Sequence, residues 1–590
     1  MDSSVDGNRF EVSEQRAEGR LQKADNSLLL TVYCLLPSAF FLSLFYFYPL
    51  ASILKLGFTS DGRLNLAPLA SLGDSYLYGV VGFTLWQAFL STLFTLAVGL
   101  PGAYLLAHYN FRGKGLLRAL AGIPFVMPTL VVAAAFNALI GPRGWLNLGF
   151  MALLQTTTPP LDLSNTLAAI LLAHVFYNTT IVVRLVGDFW AHLDPRLVSA
   201  ARVLGADSRR AFLTVTLPLL APALLAAALL VFIFDFTSFG VILVLGGPKF
   251  ATLETEIYRQ TINLFDLPRA AALSLIQLLC TFAFTFIYAR LSARVTTPLT
   301  LRPQAFTQKP LTTWRAKLGA SLSVGALGLL LIAPLAALAL RSVTRLEAAR
   351  GERAQVQPGF TLDFYQELFV NRRDSIFYVP PFRAIGNSVG VAATTATLAL
   401  VLGLPTAWAL TRSSSPRLSR WLDSILMLPL GTSAVTLGFG FLLAFSKPPL
   451  AWRTSPWLLP LAHTLVAFPF VTRSLTPALR GIRPQLRRAA AMLGASPLQA
   501  FRAVDLPLIG RAVIVGGAFA FAISLGEFGA TALVARPDFP TVPVAIYAFL
   551  SQPGALNYGQ ALALSTILML VCGGGILAIE SLRVGEVGEF

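Results

Sequence analysis

The chain has 590 residues, of which 55% are hydrophobic and only 12% are charged, whereas soluble domains carry about 25% charged residues. This composition excludes an ordinary water-soluble domain and predicts a chain that is solvated by a lipid bilayer. The formal net charge of +17 does not indicate nucleic acid as a partner, because the basic residues cluster in short loops between apolar runs, as the positive-inside rule describes for membrane proteins.

Apolar runs of about 20 residues or more, the length that crosses a bilayer as a helix, recur along the whole chain. About twelve are present, near residues 28–54, 80–107, 116–141, 165–189, 219–246, 270–290, 317–341, 384–411, 419–445, 457–478, 511–534 and 559–580. They predict an all-α, polytopic membrane protein with about twelve transmembrane helices in two six-helix halves.

The stretches between the runs divide the chain into four predicted regions. Residues 1–27 lack the compact basic-then-apolar pattern of a cleaved signal, so we predict a cytoplasmic N-terminal segment followed by a retained helix. Two membrane halves, 28–292 and 317–582, are joined by a basic cytoplasmic linker, 293–316.

Arginine and lysine are concentrated in alternate loops, near residues 108–118 and 412–420, and in the linker. The positive-inside rule places these loops, and with them both chain termini, in the cytoplasm. The longest loop on the opposite side, 341–383, carries charges of both signs, and we interpret it as an external elaboration.

A polar segment between apolar runs occurs twice. Residues 199–220 read SAARVLGADSRRAFLTVTLPLL, and residues 488–509 read RAAAMLGASPLQAFRAVDLPLI. The shared letters keep one register, an offset of 289 residues that is close to half the chain. Because both copies lie on the same predicted side, the chain is interpreted as a duplication with parallel halves.

Each copy, 195–220 and 484–509, is typical of a short helix, a turn and a second short helix. A proline stands where the first helix begins, a glycine stands at the turn, and a pair of alanines lets another protein approach closely. The phenylalanine is expected to be a buried aromatic. The residues that define these loops are Ala200, Ala201, Gly205, Phe212 and Pro218 in the first copy and Ala489, Ala490, Gly494, Phe501 and Pro507 in the second.

An amphipathic loop lying on anionic lipid is the alternative for either copy taken alone. Two copies at matched positions favour a partner that is itself two-fold. The alternative therefore stays open for one loop but is less favoured for the pair.

The pattern of Ala-Ala, a glycine after three intervening residues and a Leu-Pro about twelve residues beyond the glycine resembles the "EAA" loop of permease subunits of binding-protein-dependent ATP-binding-cassette (ABC) importers. These permeases form the MetI-like, type I group. The glutamate usual before Ala-Ala is replaced by Ser199 and Arg488, so the sequence predicts no salt bridge to an ATPase from this position. The double length is typical of the thiamine and ferric-iron branch, and segments such as LWQAFLS at 85–91 look like those of thiamine permeases.

This resemblance implies a permease in the bacterial inner membrane that forms the pore of an importer from one chain. The implied partners are two copies of a separate ABC ATPase, which carries ATP-Mg, and an extracytoplasmic solute-binding protein. No GxxxxGK[ST] phosphate loop is found in the sequence, so we predict neither enzymatic activity nor a cofactor for this chain. The expected substrate is thiamine, its phosphate, or ferric iron.

Two acidic residues within predicted spans, Asp235 and Glu527, are candidates for a polar path, because intramembrane charge is costly and usually functional. The alternative is a helix end near the interface, where a carboxylate is solvated. The candidate path residues are Asp235, Ser238, Phe239, Gly526, Glu527 and Phe528.

Phe239 and Phe528 are candidates for a gate or for stacking on an aromatic cation, with plain packing as the alternative. The matched His174 and His463 are predicted to be structural hydrogen-bonders, and no metal site is predicted. A twelve-helix, ion-coupled secondary transporter with parallel halves and a membrane scaffold without transport activity remain the alternative functions.

Overall fold

Long apolar helices make up most of the computed structural model, which describes residues 31–60, 63–64, 74–295, 308–346, 359–370, 381–412, 416–448 and 450–583. In these residues, eleven helical segments are long and apolar enough to cross a membrane, and one of them, Thr129–Leu154, consists of two shorter helices joined at residues 141–144. The predicted all-α, polytopic class is thereby confirmed. The predicted N-terminal segment, 1–27, lies outside the described residues, as does most of the linker.

In the described residues, the two halves contain matching helices in the same order, except that the helix Trp145–Leu154 occurs only in the first half and the helix Asp363–Gln366 only in the second. Those of the first half are α1 Thr31–Phe58, α2 Ser75–His108, α3 Lys114–Gly122, α4 Thr129–Ile140, α5 Trp145–Leu154, α6 Leu167–Ala191, α7 Pro195–Val203, α8 Ser208–Phe236, α9 Gly240–Leu245, α10 Leu253–Tyr258 and α11 Leu267–Val295. Those of the second half are α12 Trp314–Ser342, α13 Asp363–Gln366, α14 Pro381–Arg412, α15 Pro416–Leu426, α16 Ala434–Ala444, α17 Leu458–Arg480, α18 Pro484–Met492, α19 Pro497–Gly526, α20 Gly529–Val534, α21 Val542–Leu550 and α22 Ala555–Arg583.

Strands contribute three pairs of two residues each in the described part of the chain. Strands β1 Thr59–Ser60 and β2 Arg63–Leu64 form an antiparallel hairpin, as do β5 Thr344–Arg345 and β6 Gly359–Phe360. Strands β3 Tyr109–Asn110 and β4 Lys309–Pro310 pair in parallel. This last pair joins the loop after α2 to the linker between the halves, two segments that the charge pattern assigns to the same side of the membrane.

The predicted spans 116–141 and 419–445 are not continuous helices. In the first half, α3 and α4 are separated by a 3₁₀ turn at Pro124–Val126, and in the second half α15 and α16 are separated by one at Leu428–Gly431. Proline removes a backbone donor and cannot continue an α-helix without a kink. The predicted spans are therefore broken here, and α16 is too short to cross a bilayer alone.

Two further predicted spans, 219–246 and 511–534, are interrupted at equivalent points. Three residues separate the end of α8 from the start of α9, and two residues separate the end of α19 from the start of α20. Both short helices start at a glycine, because a Cβ on Gly240 would lie 2.4 Å from Thr129 Oγ1 and one on Gly529 would lie 2.9 Å from Ala434 Cβ. Broken helices are tolerated at membrane depth where protein or a cavity covers the freed backbone groups.

The first helix of each half packs against the other half. Helix α1 contacts α16 extensively, and Tyr46 Oη lies 2.7 Å from Thr432 Oγ1. Helix α12 contacts α4, and the indole N–H of Trp145 donates to the carbonyl of Ala337 at 3.1 Å. The halves are therefore interlocked through their first helices, which the division of the sequence at the linker does not reveal.

The predicted external segment, 341–383, is described at 341–346, 359–370 and 381–383. Its short helix α13 is anchored by Phe364, a buried side chain whose ring lies against Gly559 so closely that a Cβ there would come within 2.2 Å. The segment is thus attached to α22.

Candidate functional site

The first of the two repeated loops, residues 195–220, projects from the helical body. Helix α7 contains no buried residue and is capped at its N-terminus by Asp194, whose carboxylate accepts the backbone N–H of Arg196. Gly205 then reverses the chain with φ +90°, and nothing lies within 4 Å of a Cβ at this position. A left-handed backbone conformation favours glycine. Backbone conformation, and not crowding by neighbouring atoms, therefore accounts for the glycine at this position.

The second loop, residues 484–509, has the same construction. Helix α18 contains no buried residue, and Gly494 turns the chain with φ +85°. The next helical turn starts with a capping box in which Ser496 and Gln499 satisfy each other's backbone N–H groups. The predicted order of helix, turn and helix is thus what the structure contains in both loops.

The tip of each loop presents two large apolar side chains to the surroundings. Val203 and Leu204 are 87% and 88% exposed, and Met492 and Leu493 are 88% and 89% exposed. The sequence analysis missed these four loop-tip residues, although an apolar pair directly before each glycine is visible in the sequence. Exposed apolar side chains at matched positions on two projecting loops are a sign of a surface that another protein covers.

The expectation that Phe212 and Phe501 are buried was wrong for Phe212, which is 39% exposed, and Phe501 is only half-buried. The Phe212 ring packs 6.3 Å from that of Trp190, and the Phe501 ring lies 6.3 Å from that of Trp408. Each phenylalanine thus ties the base of its loop to a neighbouring helix and leaves part of its ring uncovered.

Both loops widen into a π turn, Phe212–Thr216 in the first and Phe501–Asp505 in the second. Pro218 and Pro507 follow directly, within the same long helices. Proline lacks a donor and its ring clashes with the preceding turn of an α-helix, and a wider turn relieves that clash. The matched prolines therefore account for the matched distortions.

An ionic cluster distinguishes the second loop from the first. Asp505 is fully buried and accepts from Arg487 Nε at 2.6 Å and from Arg412 Nη2 at 3.4 Å. The repeat offset places Thr216 at the equivalent position of the first loop. The second loop is thus fastened by charge to the end of α14.

Asp505→Asn is expected to lower the free energy of unfolding by about 2 kcal/mol, because it leaves two arginines without their counter-ion. The loss is below the roughly 3–5 kcal/mol of a fully buried pair, since both arginines remain partly exposed. Thermal unfolding of the purified protein in detergent measures it, with Thr216→Val as the matched control. Equal losses of stability in the two variants would contradict the assigned role of the cluster.

A cavity of about 320 Å³ lies between the halves, and all six candidate path residues line it. Its wall is formed mainly by α6, α8, α9, α17, α19 and α20, by the break between α8 and α9 and by the break between α19 and α20. Asp235 is only 1% exposed, so its carboxylate does not lie at a solvated helix end.

Polar side chains of the first half surround Asp235. The Asn178 side-chain N–H donates to Asp235 Oδ1 at 2.7 Å, and His174 Nδ1 lies 3.4 Å from the same oxygen. His174 also contacts Ser91 Oγ at 3.0 Å through Nδ1 and Ser238 Oγ at 2.9 Å through Nε2. Asp235 Oδ2 is buried without a hydrogen-bond partner.

The second half builds a neutral version of this network. Ser524 stands at the position equivalent to Asp235, and its hydroxyl lies 2.8 Å from His463 Nδ1 and donates to Thr395 Oγ1 at 3.2 Å. His463 Nε2 lies 2.7 Å from Thr531 Oγ1. Both matched histidines are thus buried hydrogen-bonding groups, and the acidic character of the two halves differs.

Glu527 plays a different part from Asp235. Its Oε1 accepts the backbone N–H of Ala530 at 2.9 Å, at the start of α20. A carboxylate is favourable at a helix N-terminus, where backbone donors have no partner within the helix. Glu527 therefore starts the short helix and also places a carboxyl group in the wall of the cavity.

Four aromatic rings pack together beside the cavity, at the interface between the two halves. The rings of Phe239 and Phe528 are stacked across the interface, with centroids 5.4 Å apart and planes 17° apart. Tyr258 flanks the first at 5.3 Å, and Tyr547 flanks the second at 5.4 Å. We call these four residues the aromatic closure.

Glu254 is a buried acid that the sequence analysis missed. Its carboxylate accepts from Ser433 Oγ of the second half at 2.6 Å and from Gln277 Nε2 at 2.8 Å. The signal for it was an acidic residue in the short segment LETEIY between two spans. In the described part of the chain, no group of three or more His, Cys, Asp or Glu is arranged to hold a metal ion.

The sequence matches the family described as "binding-protein-dependent transport system inner membrane component" twice, at residues 99–297 and 399–584. It is 28% identical over 515 residues to the thiamine transport system permease protein ThiP of Salmonella typhimurium, covering 86% of this chain and 90% of that protein. It is 29% identical over 512 residues to ThiP of Brucella abortus, covering 85% and 86%.

A third relative is a probable ABC transporter permease protein, y4fN, of Sinorhizobium fredii, with 28% identity over 86% of this chain and 88% of that protein. Among solved structures, a bacterial ABC transporter involved in the import of the polysaccharide alginate is similar over 47% of this chain and 100% of that chain. The TM-score is 0.40 and the identity is 17%.

Proposed function

The chain belongs to the family of binding-protein-dependent transport system inner membrane components, and from this premise we propose that it forms the whole translocation pathway of an ATP-driven importer. It is a multi-pass ABC permease of the MetI-like type, with one family match in each half. Because two permease halves are fused, one chain supplies the pathway that two subunits would otherwise form.

The two loops are the proposed contacts with two copies of a separate ATPase. The observation that carries this proposal is the pair of projecting helices whose apolar tips are matched residue by residue. A dimeric ATPase has two equivalent sockets and needs two equivalent handles on one face of the permease. ATP and Mg²⁺ then belong to the ATPase, and this chain contributes no catalytic group and no cofactor.

The orientation follows from the same proposal. The loops lie in the cytoplasm with the ATPase, and both chain termini are on that side, in agreement with the arginine-rich and lysine-rich loops. A solute-binding protein delivers the substrate from the opposite side. The divisions at 28–292, 293–316 and 317–582 remain the proposed halves and linker.

The cavity is the proposed section of the pathway within the membrane, and the aromatic closure is its proposed gate. Two acids and six aromatic side chains are among its lining residues, a combination that suits a cation with flat rings. Relatives covering most of the chain are thiamine permeases. Thiamine, an aromatic cation, is therefore the proposed substrate in preference to ferric iron.

Uptake by cells tests the substrate. A bacterium that lacks its own thiamine permease is given this chain together with its ATPase and binding protein, and labelled thiamine and labelled ferric iron are offered separately. We expect accumulation of thiamine alone. Accumulation of iron without thiamine would contradict the substrate and leave the importer mechanism in place.

The ion-coupled secondary transporter is the competing function. It accounts for a multi-pass chain with two parallel halves, but it gives no role to two projecting loops with apolar tips. The family match in each half also favours the ATP-driven importer.

A further inference from the structure

One carboxylate oxygen in the cavity wall has no partner. Asp235 is 1% exposed, and while its Oδ1 accepts from Asn178, its Oδ2 is buried without a hydrogen bond. Both atoms belong to a side chain that lines the cavity between the halves. The free oxygen therefore belongs to a polar side chain in the wall of a space large enough to hold a small organic molecule.

The described residues that line this cavity include no lysine or arginine, and His174, whose Nδ1 lies 3.4 Å from Asp235 Oδ1, has the hydroxyls of Ser91 and Ser238 as hydrogen-bond partners. A buried carboxylate without a nearby positive charge is strongly disfavoured in its ionised form. A bound cation would relieve this cost, and so would a proton. Phe125, Tyr177, Phe234, Phe239, Phe470 and Phe528 line the same cavity, and aromatic faces attract organic cations.

We propose that Asp235 is the counter-ion of a binding site for a flat organic cation inside the membrane cavity, and that the first half alone supplies this charge. The proposal rests on the function proposed above and adds that the pathway itself recognises the positive charge of its cargo. Recognition is thus not left wholly to the solute-binding protein.

The first half alone supplies the charge because the equivalent position in the second half carries no acid. Ser524 occupies it, and its hydroxyl has partners in His463 and Thr395. Glu527 of the second half also lines the cavity, but its Oε1 is already occupied by the backbone N–H of Ala530. Asp235 Oδ2 is thus a carboxylate oxygen of the wall that is both buried and without a hydrogen-bond partner.

Equilibrium binding tests the site without transport. The permease is purified with its ATPase, placed in lipid nanodiscs without binding protein or ATP, and titrated with labelled thiamine and with thiochrome, a neutral flat oxidation product of thiamine. We expect the wild type to bind thiamine at least tenfold more tightly than thiochrome. Asp235→Asn should weaken thiamine binding at least tenfold and leave thiochrome binding unchanged.

Two control variants sharpen the test. Ser524→Ala changes the equivalent position of the other half and should leave thiamine binding unaltered. The double variant Asp235→Ser with Ser524→Asp moves the charge across the interface, and binding that stays weak in it supports a site built by the first half. Recovery to wild-type affinity would overturn the asymmetry.

Equal affinity of wild type and Asp235→Asn for thiamine would overturn the counter-ion role of Asp235. Equal affinity of the wild type for thiamine and thiochrome would overturn it as well. Absence of thiamine binding to the nanodisc complex would also overturn it, even where cells import thiamine. Failure of the Asp235 site and failure of the proposed importer function would therefore be seen in different experiments.

Discussion

Substitution of the exposed leucines by aspartate at both loop tips, Leu204→Asp with Leu493→Asp, is expected to reduce transport to less than a tenth of the wild-type rate. A leucine buried in an apolar socket stabilises a complex by about 1.5–3 kcal/mol, and a carboxylate in its place pays a further desolvation cost. Because both side chains are almost fully exposed in the chain itself, the permease should fold normally. Uptake and recovery of the ATPase with the purified permease measure the effect.

Matched controls separate loss of docking from general damage. Leu204→Met with Leu493→Met conserves volume and apolar character, and it should retain both uptake and the ATPase. Each single aspartate variant should fall between the wild type and the double variant, since each loop has its own socket. A double aspartate variant that transports and binds the ATPase like the wild type would contradict the assignment of these loops.

Removal of the stacked rings, Phe239→Ala with Phe528→Ala, is expected to let thiamine cross vesicles passively at least ten times faster than through the wild type. The rings touch across the interface of the halves, and an aromatic pair adds about 0.5–1.5 kcal/mol beyond its buried area. Their loss both weakens the closed arrangement and leaves an opening beside the cavity. Efflux from loaded vesicles without ATP measures the leak.

Phe284→Ala is the control for this variant, because that ring packs on Phe232 and Phe236 within the first half and not across the interface. It should cost stability without raising the leak. A leak of the same size in both variants, or none in either, would contradict a gate at the aromatic closure.

Composition and the repeat predicted most of the fold. The balance of apolar and charged residues indicated a membrane chain. The offset between Gly205 and Gly494 revealed the duplication, which the two family matches also show. The turn at these glycines was also predictable, because a glycine between two short helical patterns suits positive φ.

Helix continuity was less predictable, because hydropathy records how apolar a run is and not where its backbone hydrogen bonds are interrupted. The breaks near Pro124 and Leu428 depend on turns inside apolar runs, and the break before Gly529 depends on the capping carboxylate of Glu527. The interlocking of α1 and α12 with the opposite halves depends on long-range packing, which periodicity does not encode.

Residues that line the cavity were predictable from the sequence, but their hydrogen bonds were not. Position beside the matched Phe-Gly pairs pointed to Asp235 and Glu527, yet only the three-dimensional structure distinguishes a carboxylate that caps a helix from one with a free oxygen. The loop tips were missed for the opposite reason. Val203 and Leu204 are apolar residues of the kind that usually lie in a core, and they are exposed because α7 projects from the helical body.

The central claim, import driven by ATP, is tested most directly in proteoliposomes that contain this chain and its ATPase, with binding protein and labelled thiamine on the outer side and ATP-Mg²⁺ inside. The account predicts accumulation that requires ATP, the ATPase and the binding protein, and that persists when ion gradients are abolished. Accumulation driven by an ion gradient in the absence of ATP and the ATPase would contradict it.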